Sequence, residues 1–204
     1  MNLFFLGLAW VFWCLLHSLL IHPPIERRLK RMLGVWQNAF RLLYNLFALV
    51  SLVPVGMIYW TADSTPVLIW PDWLRPLQWL CWLAAAYLVL AAARVYDTAS
   101  FLGTRQLRQQ DPGGVVSNAS NDSGLQMNGV LRYSRHPWYL AGLILLWSRS
   151  LTARELLTSI LLTLYLLIGM VLEERKLVRE FGRAYRDYQR QVPMLWRFFP
   201  RAKR

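Results

Sequence analysis

Three stretches of the chain carry no charged side chain: Met1 to Ile25, Leu42 to Ala62, and Pro76 to Ala93. Each is long enough to cross a bilayer as a helix, which takes roughly 17–25 mostly apolar residues. Two further apolar stretches stand close together, Pro137 to Ser148 and Leu156 to Leu172, joined by the tight connector Arg149 to Glu155. The pair predicts a helical hairpin whose first arm is too short to cross the full thickness. After Leu172 the chain becomes charged but keeps a period. Leu177, Phe181, Tyr185, Tyr188 and Val192 recur at helical steps, while Arg179, Arg183, Arg186 and Arg190 take other faces. That pattern predicts an amphipathic helix with a basic face. The expected fold class is all-α: a multi-pass bundle of about five transmembrane helices, the last two a hairpin, with an amphipathic C-terminal helix. The whole chain, 1–204, reads as a single membrane-embedded domain. It comprises three transmembrane helices within 1–94, a cytoplasmic loop over 95–136, the hairpin over 137–172, and a cytoplasmic C-terminal helix and tail over 173–204.

Composition supports the membrane class. The chain is 56% hydrophobic and holds 11 tryptophans, with a mean hydropathy of +0.29. Soluble domains average about 45–50% apolar residues, and tryptophan favours the bilayer interface. The first apolar run has no Lys or Arg ahead of it and no A-x-A-like cleavage pattern behind it, so it reads as a retained helix rather than a signal peptide.

The net charge of +12 would suit nucleic acid if it were gathered on one face. Instead it alternates. Arg27, Arg28, Lys30 and Arg31 follow the first helix, residues 61–72 after the second contain no Lys or Arg, and Arg94, Arg105, Arg108, Arg132 and Arg135 follow the third. A further basic run extends from Arg175 to Arg204. This is the positive-inside pattern, with the N-terminus outside and the C-terminus cytoplasmic. Arg75, Arg149 and Arg154 run against it. The basic balance is mainly topological and partly attraction to anionic headgroups; no nucleic-acid partner is expected. Cys14 and Cys81 lie in apolar helices and read as small hydrophobes, not a disulfide. No spacing resembles a zinc site. A polar, turn-rich run from Asp111 to Gly124 interrupts the chain, and its two N-x-[ST] matches at Asn118 and Asn121 carry no weight in a cytoplasmic loop.

The chemistry gathers elsewhere. The stretch YSRHPWYLAG, Tyr133 to Gly142, enters an apolar segment through Arg135, His136 and Pro137. Pro137 suits the first turn of a helix, which puts His136 near the N-cap, where free N–H groups and the helix dipole favour an anion. Arg135 adds a fixed positive charge. The same residues also suit simple anchoring at the headgroups. Glu173 and Glu174 end the hairpin's second arm beside Arg175 and Lys176. Adjacent helical positions differ by about 100°, so one of them faces inward, suited to a cation or ribose hydroxyls; a solvated ion-pair cluster fits equally. His17 and His22 invite a haem reading, but their spacing places them on different faces, and His22 precedes Pro23-Pro24.

Together these pieces resemble the integral-membrane methyltransferases that include isoprenylcysteine carboxyl methyltransferase and the phospholipid N-methyltransferases. The resemblance rests on Gly129-Val-Leu-Arg-Tyr-Ser-Arg135-His136-Pro137-Trp-Tyr139, then Glu173-Glu174, then Phe181-Gly182-Arg-Ala-Tyr185-Arg-Asp-Tyr188. The nearer branch is that of the bacterial methanethiol S-methyltransferases and NnrU-like proteins. Phe101-Leu-Gly103-Thr-Arg105-Gln106, Leu172-Glu-Glu-Arg175, Val192-Pro-Met-Leu195 and His17-Ser18 are similar to it. Ala141 stands before Gly142, where the family pattern has its glycine. The resemblance implies S-adenosylmethionine as methyl donor, a small or lipophilic acceptor, most naturally a thiol, and a bacterial cytoplasmic membrane. It also implies the site residues. Arg135, His136 and the helix N-terminus hold the donor's carboxylate as catalytic positions, and Glu173 or Glu174 takes its ammonium or ribose. Tyr133, Pro137, Tyr139, Tyr185 and Tyr188 pack round it, and Arg105 and Gln106 close the site. The alternatives are a prenylcysteine carboxyl or lipid amine acceptor, and a non-catalytic NnrU-like protein, in its sharpest form binding haem through His17 or His22.

Overall fold

The structure, a computed structural model, describes residues 3–96, 102–104, 125 and 127–196. Its elements in chain order are α1 (Leu3–Leu20), α2 (Pro23–Leu33), α3 (Phe40–Val50), α4 (Leu52–Thr61), β1 (Pro66–Leu68), α5 (Arg75–Val95), α6 (Pro137–Trp147), β2 (Leu151–Thr152), α7 (Ala153–Phe181) and α8 (Arg183–Gln191). The fold is mostly helical, and four stretches are long and apolar enough to cross a membrane: Leu3–Leu20, Pro23–Thr61, Asp72–Val95 and Ala153–Phe181. α6 is the shorter apolar helix that the hairpin pattern predicts. The tertiary contacts gather in two units that interleave along the chain. One draws on residues 1–67, 97–119 and 151–161, the other on 68–96, 120–150 and 162–204.

In the first unit α1 packs on α4, with Leu6 fully buried. Polar groups at membrane depth must find partners inside the protein, and Trp10, Trp13 and His17 do. Trp10 Nε1 donates to Thr158 Oγ1 at 3.0 Å. Trp13 Nε1 donates to Ser51 Oγ at 3.0 Å. His17 stacks on Trp13 with ring centroids 5.0 Å apart, and the Tyr44 hydroxyl lies 2.8 Å from its Nε2. His17 is thereby built into the helix packing, and His22 stands at the N-cap of α2.

The second charge-free run is not one helix. Pro54 lacks the N–H that would bond the Val50 carbonyl, and its ring crowds that oxygen. The run therefore divides at Ser51 into α3 and α4. Near its start, Asn45 Nδ2 donates to the Leu102 carbonyl at 3.2 Å. Next to that contact, Gly103 has φ +89, and a Cβ there would lie 2.7 Å from the Leu42 amide nitrogen. Arg154, one of the residues that departs from the positive-inside pattern, has a structural task. Its Nη1 donates to the Tyr59 and Trp60 carbonyls at 3.3 and 3.4 Å, and its guanidinium lies 4.8 Å from the Tyr59 ring centroid. It caps the end of α4, where orphan carbonyls need donors.

In the second unit the small residues Ala85 and Ala92 on α5 and Ala141 on α6 let the two helices approach; with Leu88 and Val130 they form a buried cluster. Ala141 is thus a packing residue against α5, while Gly142 faces Leu166 of α7. Trp147 Nε1 donates to Thr163 Oγ1 at 2.9 Å, tying α6 to α7. α7 has 29 residues, about 44 Å of helix, longer than the ~30 Å hydrocarbon core. Glu173 lies about 30 Å along it, about one hydrocarbon thickness from its start.

The sequence pattern predicts the hairpin arm ending near Leu172 and an amphipathic helix after it. In the structure α7 continues to Phe181, and the amphipathic stripe is bent rather than straight. Gly182, at φ +57, ends α7 and starts α8, a backbone conformation that glycine adopts at no steric cost. The bend folds Tyr185, Tyr188 and Val192 back against Leu177, Val178 and Phe181 in one cluster.

Candidate functional site

The site lies within the second unit, where three elements converge: the turn entering α6, the C-terminal turns of α7, and α8 with the segment beyond it. Val130 and Leu131, in the 3-10 turn Gly129–Arg132, are buried and fix the approach. Ser134, fully buried, accepts from the His136 N–H through its Oγ at 3.2 Å, a local side-chain-to-backbone bond of the kind that sets turns. Pro137 then opens α6 at its first position.

This turn delivers Arg135 and His136 to Glu174. Arg135 forks onto the carboxylate, Nε to Oε1 at 2.7 Å and Nη2 to Oε2 at 3.0 Å. Its Nη1 donates to the carbonyls of Gln189 and Val192 at 3.0 and 2.7 Å. His136 Nε2 meets Glu174 Oε1 at 2.9 Å. The Tyr185 hydroxyl donates to the same oxygen at 3.0 Å, and the Gln189 amide donates to Oε2. Both carboxylate oxygens are thus saturated, the condition a buried charge requires. The backbone joins in: the Arg135 and His136 N–H groups donate to the Pro193 and Met194 carbonyls at 3.1 and 3.2 Å. The anion that this corner holds is the chain's own Glu174, and the Arg135 and His136 N–H groups hold the C-terminal segment.

Glu173 is placed differently. Its side chain is 43% exposed, with Oε2 3.7 Å from His136 Nδ1, and Tyr139 hydrogen-bonds it. Gly169 makes room for that tyrosine; a Cβ at Gly169 would stand 3.4 Å from the Tyr139 ring. Tyr96, just past α5, feels the same carboxylate: burial and the Glu173 charge push its phenol up to about 12. His136 stands between the two glutamates, one locked and one partly open. On the Glu174 side of α7 an open groove of about 440 Å³ is lined by Val171, Glu174, Arg175, Val178, Arg179, Gln189 and Met194.

The remaining expected residues are spread out. Tyr188 is buried and donates to the Leu131 carbonyl at 2.6 Å, holding α8 to the turn before α6. Burial pushes the Tyr185 and Tyr188 phenols up, helped next by the Glu174 charge at Tyr185 and by Tyr96 at Tyr188, and opposed by Arg135. Tyr133 is not in the network; it is exposed and stacks on Trp196 with centroids 6.1 Å apart. Arg105 and Gln106, like the run Asp111 to Gly124, lie outside the described residues. Two members of the network escape the sequence reading. Gln189 is one helical turn from Tyr185 and shares its face, which was the available signal. Ser134 had only its place before Arg-His-Pro.

Comparison with known proteins sets this geometry in a family. A family model described as NnrU protein matches residues 5–199. The chain belongs to the NnrU family. Among curated relatives of this NnrU-family chain, it is 29% identical over 186 residues to methanethiol S-methyltransferase 2 of Bradyrhizobium diazoefficiens, covering 88% of this chain and 67% of that protein. It is 30% identical over 160 residues to the methanethiol S-methyltransferase of Mycobacterium tuberculosis, covering 74% and 62%. It is 26% identical over 168 residues to Nurim of Xenopus laevis, covering 79% and 57%. The chain therefore spans less than two thirds of the length of the latter two. No solved structure matches it. The NnrU match and these relatives bear out the resemblance to the membrane methyltransferase superfamily, and with the four apolar helices they make the chain an integral membrane protein.

Proposed function

We propose that this NnrU-family chain is a membrane methyltransferase that uses S-adenosylmethionine and acts on a small thiol, with its N-terminus outside and its site on the cytoplasmic face of a bacterial membrane. The observation that carries the reading is the paired carboxylate: Glu174 locked by Arg135, His136, Tyr185 and Gln189, and Glu173 half-open beside it. The methanethiol S-methyltransferases among its relatives suggest the reaction class.

The donor set suits the cofactor. S-adenosylmethionine supplies an electrophilic methyl on a sulfonium and carries an ammonium, a carboxylate and ribose hydroxyls. Glu173 is the carboxylate with open capacity, so it takes the ammonium or a ribose hydroxyl. Arg135 is a positioning residue, since its donors are engaged with Glu174 and with the Gln189 and Val192 carbonyls. His136 fixes the spacing between the two glutamates. Methyl transfer is an in-line displacement and needs alignment and exclusion of water more than acid–base machinery. A thiol acceptor must also lose its proton, and a nearby arginine or histidine lowers its pKa.

Calorimetric titration with S-adenosylhomocysteine in detergent tests the reading. The native chain binds, and Glu173→Gln weakens binding roughly tenfold or more, the size of one lost charge-assisted hydrogen bond. No measurable binding by folded native protein contradicts it.

A further inference from the structure

α2 begins at Pro23, directly after α1 ends at Leu20. α1 is an apolar helix of 18 residues, about 27 Å long, so α2 starts at the boundary of the bilayer. Ile25, Leu29 and Leu33 recur every fourth residue on one half-buried face, and Arg27, Arg28, Lys30 and Arg31 take the others. Pro24, Arg27, Lys30, Arg31 and Gln37 line an open groove of about 470 Å³. Lys30 is fixed in it: its Nζ lies 2.6 Å from Glu26 Oε1 and 5.4 Å from the centre of the Phe40 ring. Arg27 and Arg31 are exposed and make no ion pair among the described residues. Just past the groove Met32, Val35 and Trp36 are 76%, 92% and 69% exposed.

These two features demand one explanation. Unpaired guanidinium groups suit phosphate oxygens, which they bind with charge-assisted hydrogen bonds. The exposed apolar trio has no use for a soluble anion, but at the end of a membrane helix it reaches acyl chains. We infer that the α2 groove is a binding site for the phosphate of an anionic phospholipid. Arg27 and Arg31 hold the phosphate, Gln37 meets a headgroup or ester oxygen, and Met32, Val35 and Trp36 lie against the acyl chains. A zwitterionic headgroup is disfavoured, because Glu26, the groove's neighbouring acid, is already engaged by Lys30. The inference is independent of the methyltransferase reading.

The test is native mass spectrometry of the full chain titrated with phosphatidylglycerol, phosphatidylcholine or inorganic phosphate. The native chain retains phosphatidylglycerol in preference to phosphatidylcholine. The double variant Arg27→Gln/Arg31→Gln weakens phosphatidylglycerol retention roughly thirtyfold, as expected for two basic residues at an anionic surface. The double variant Arg183→Gln/Arg186→Gln, which removes the same charge from exposed positions of α8, changes it less than threefold. Circular dichroism confirms that both variants keep native helicity. Equal losses from the two double variants, no preference for phosphatidylglycerol, or competition by millimolar inorganic phosphate each overturns the assignment.

Discussion

Arg135 grips both oxygens of Glu174 from a turn 39 positions earlier in the chain, through Nε at 2.7 Å and Nη2 at 3.0 Å. With 9% and 11% of their side chains exposed, the two form a largely dry fork between α7 and the entrance of α6. The remaining guanidinium bonds reach the end of α8, so one side chain joins three elements. Removing one partner leaves the other charge uncompensated, which costs about 3–5 kcal/mol for a buried pair. Arg135→Ala is expected to destabilise the chain by about that amount in denaturant unfolding in detergent. Arg135→Lys keeps the charge but loses the fork and recovers only part of it.

On the proposed reading the two glutamates divide stability from binding. Glu174→Gln removes a charge that four side chains solvate, and its main effect is a lower melting temperature. Glu173 is half-exposed, so Glu173→Gln leaves the melting temperature within about 2 °C and acts on S-adenosylhomocysteine affinity instead. The paired readout is thermal unfolding and calorimetry on the same preparations. The opposite assignment of effects reverses the roles given to the two residues.

Tyr185 and Tyr188 set an alkaline limit. Their phenols are pushed above the ordinary value of 10.0 by burial, and next by the Glu174 charge at Tyr185 and by Tyr96 at Tyr188. The folded state thus holds protons that the unfolded chain releases above about pH 10. Stability is full below that pH and is lost progressively as the pH climbs through it. Melting curves from pH 8 to 11 are expected to fall more steeply above pH 10 for the native chain than for Tyr185→Phe.

Gly103 provides a check on the other unit. At φ +89, with a Cβ position 2.7 Å from the Leu42 amide nitrogen, neither the backbone conformation nor the space admits alanine. Gly103→Ala is expected to cost about 1–3 kcal/mol, read as a lower melting temperature.

Membrane class and most helix positions were legible because each rests on a local rule. The charge-free runs mark α1, α5 and the α3–α4 stretch, and Pro137 marks the first residue of α6. Pro54 was legible too, as a proline inside an apolar run, yet the break it causes at Ser51 went unread. The glutamate pair was readable as chemistry but not as a division of labour. A helical wheel separates Glu173 from Glu174 by about 100°, but it does not say that α8 folds back to saturate one of them. That outcome depends on Gly182 turning the chain and on Gln189, Val192 and Pro193 arriving beside Arg135, a long-range event with no local signature. Arg154 illustrates the same limit: it reads as an exception to the charge pattern and is used to cap α4.

The most direct measurement is transfer of labelled methyl from S-adenosylmethionine by purified chain in lipid nanodiscs, offered methanethiol, a prenylcysteine or a lipid amine in parallel. The account predicts label in the methyl thioether of methanethiol, with transfer reduced in Glu173→Gln. Folded protein that binds S-adenosylhomocysteine yet labels only the prenylcysteine or the lipid amine contradicts the thiol assignment, and absence of transfer to all three contradicts the enzyme itself.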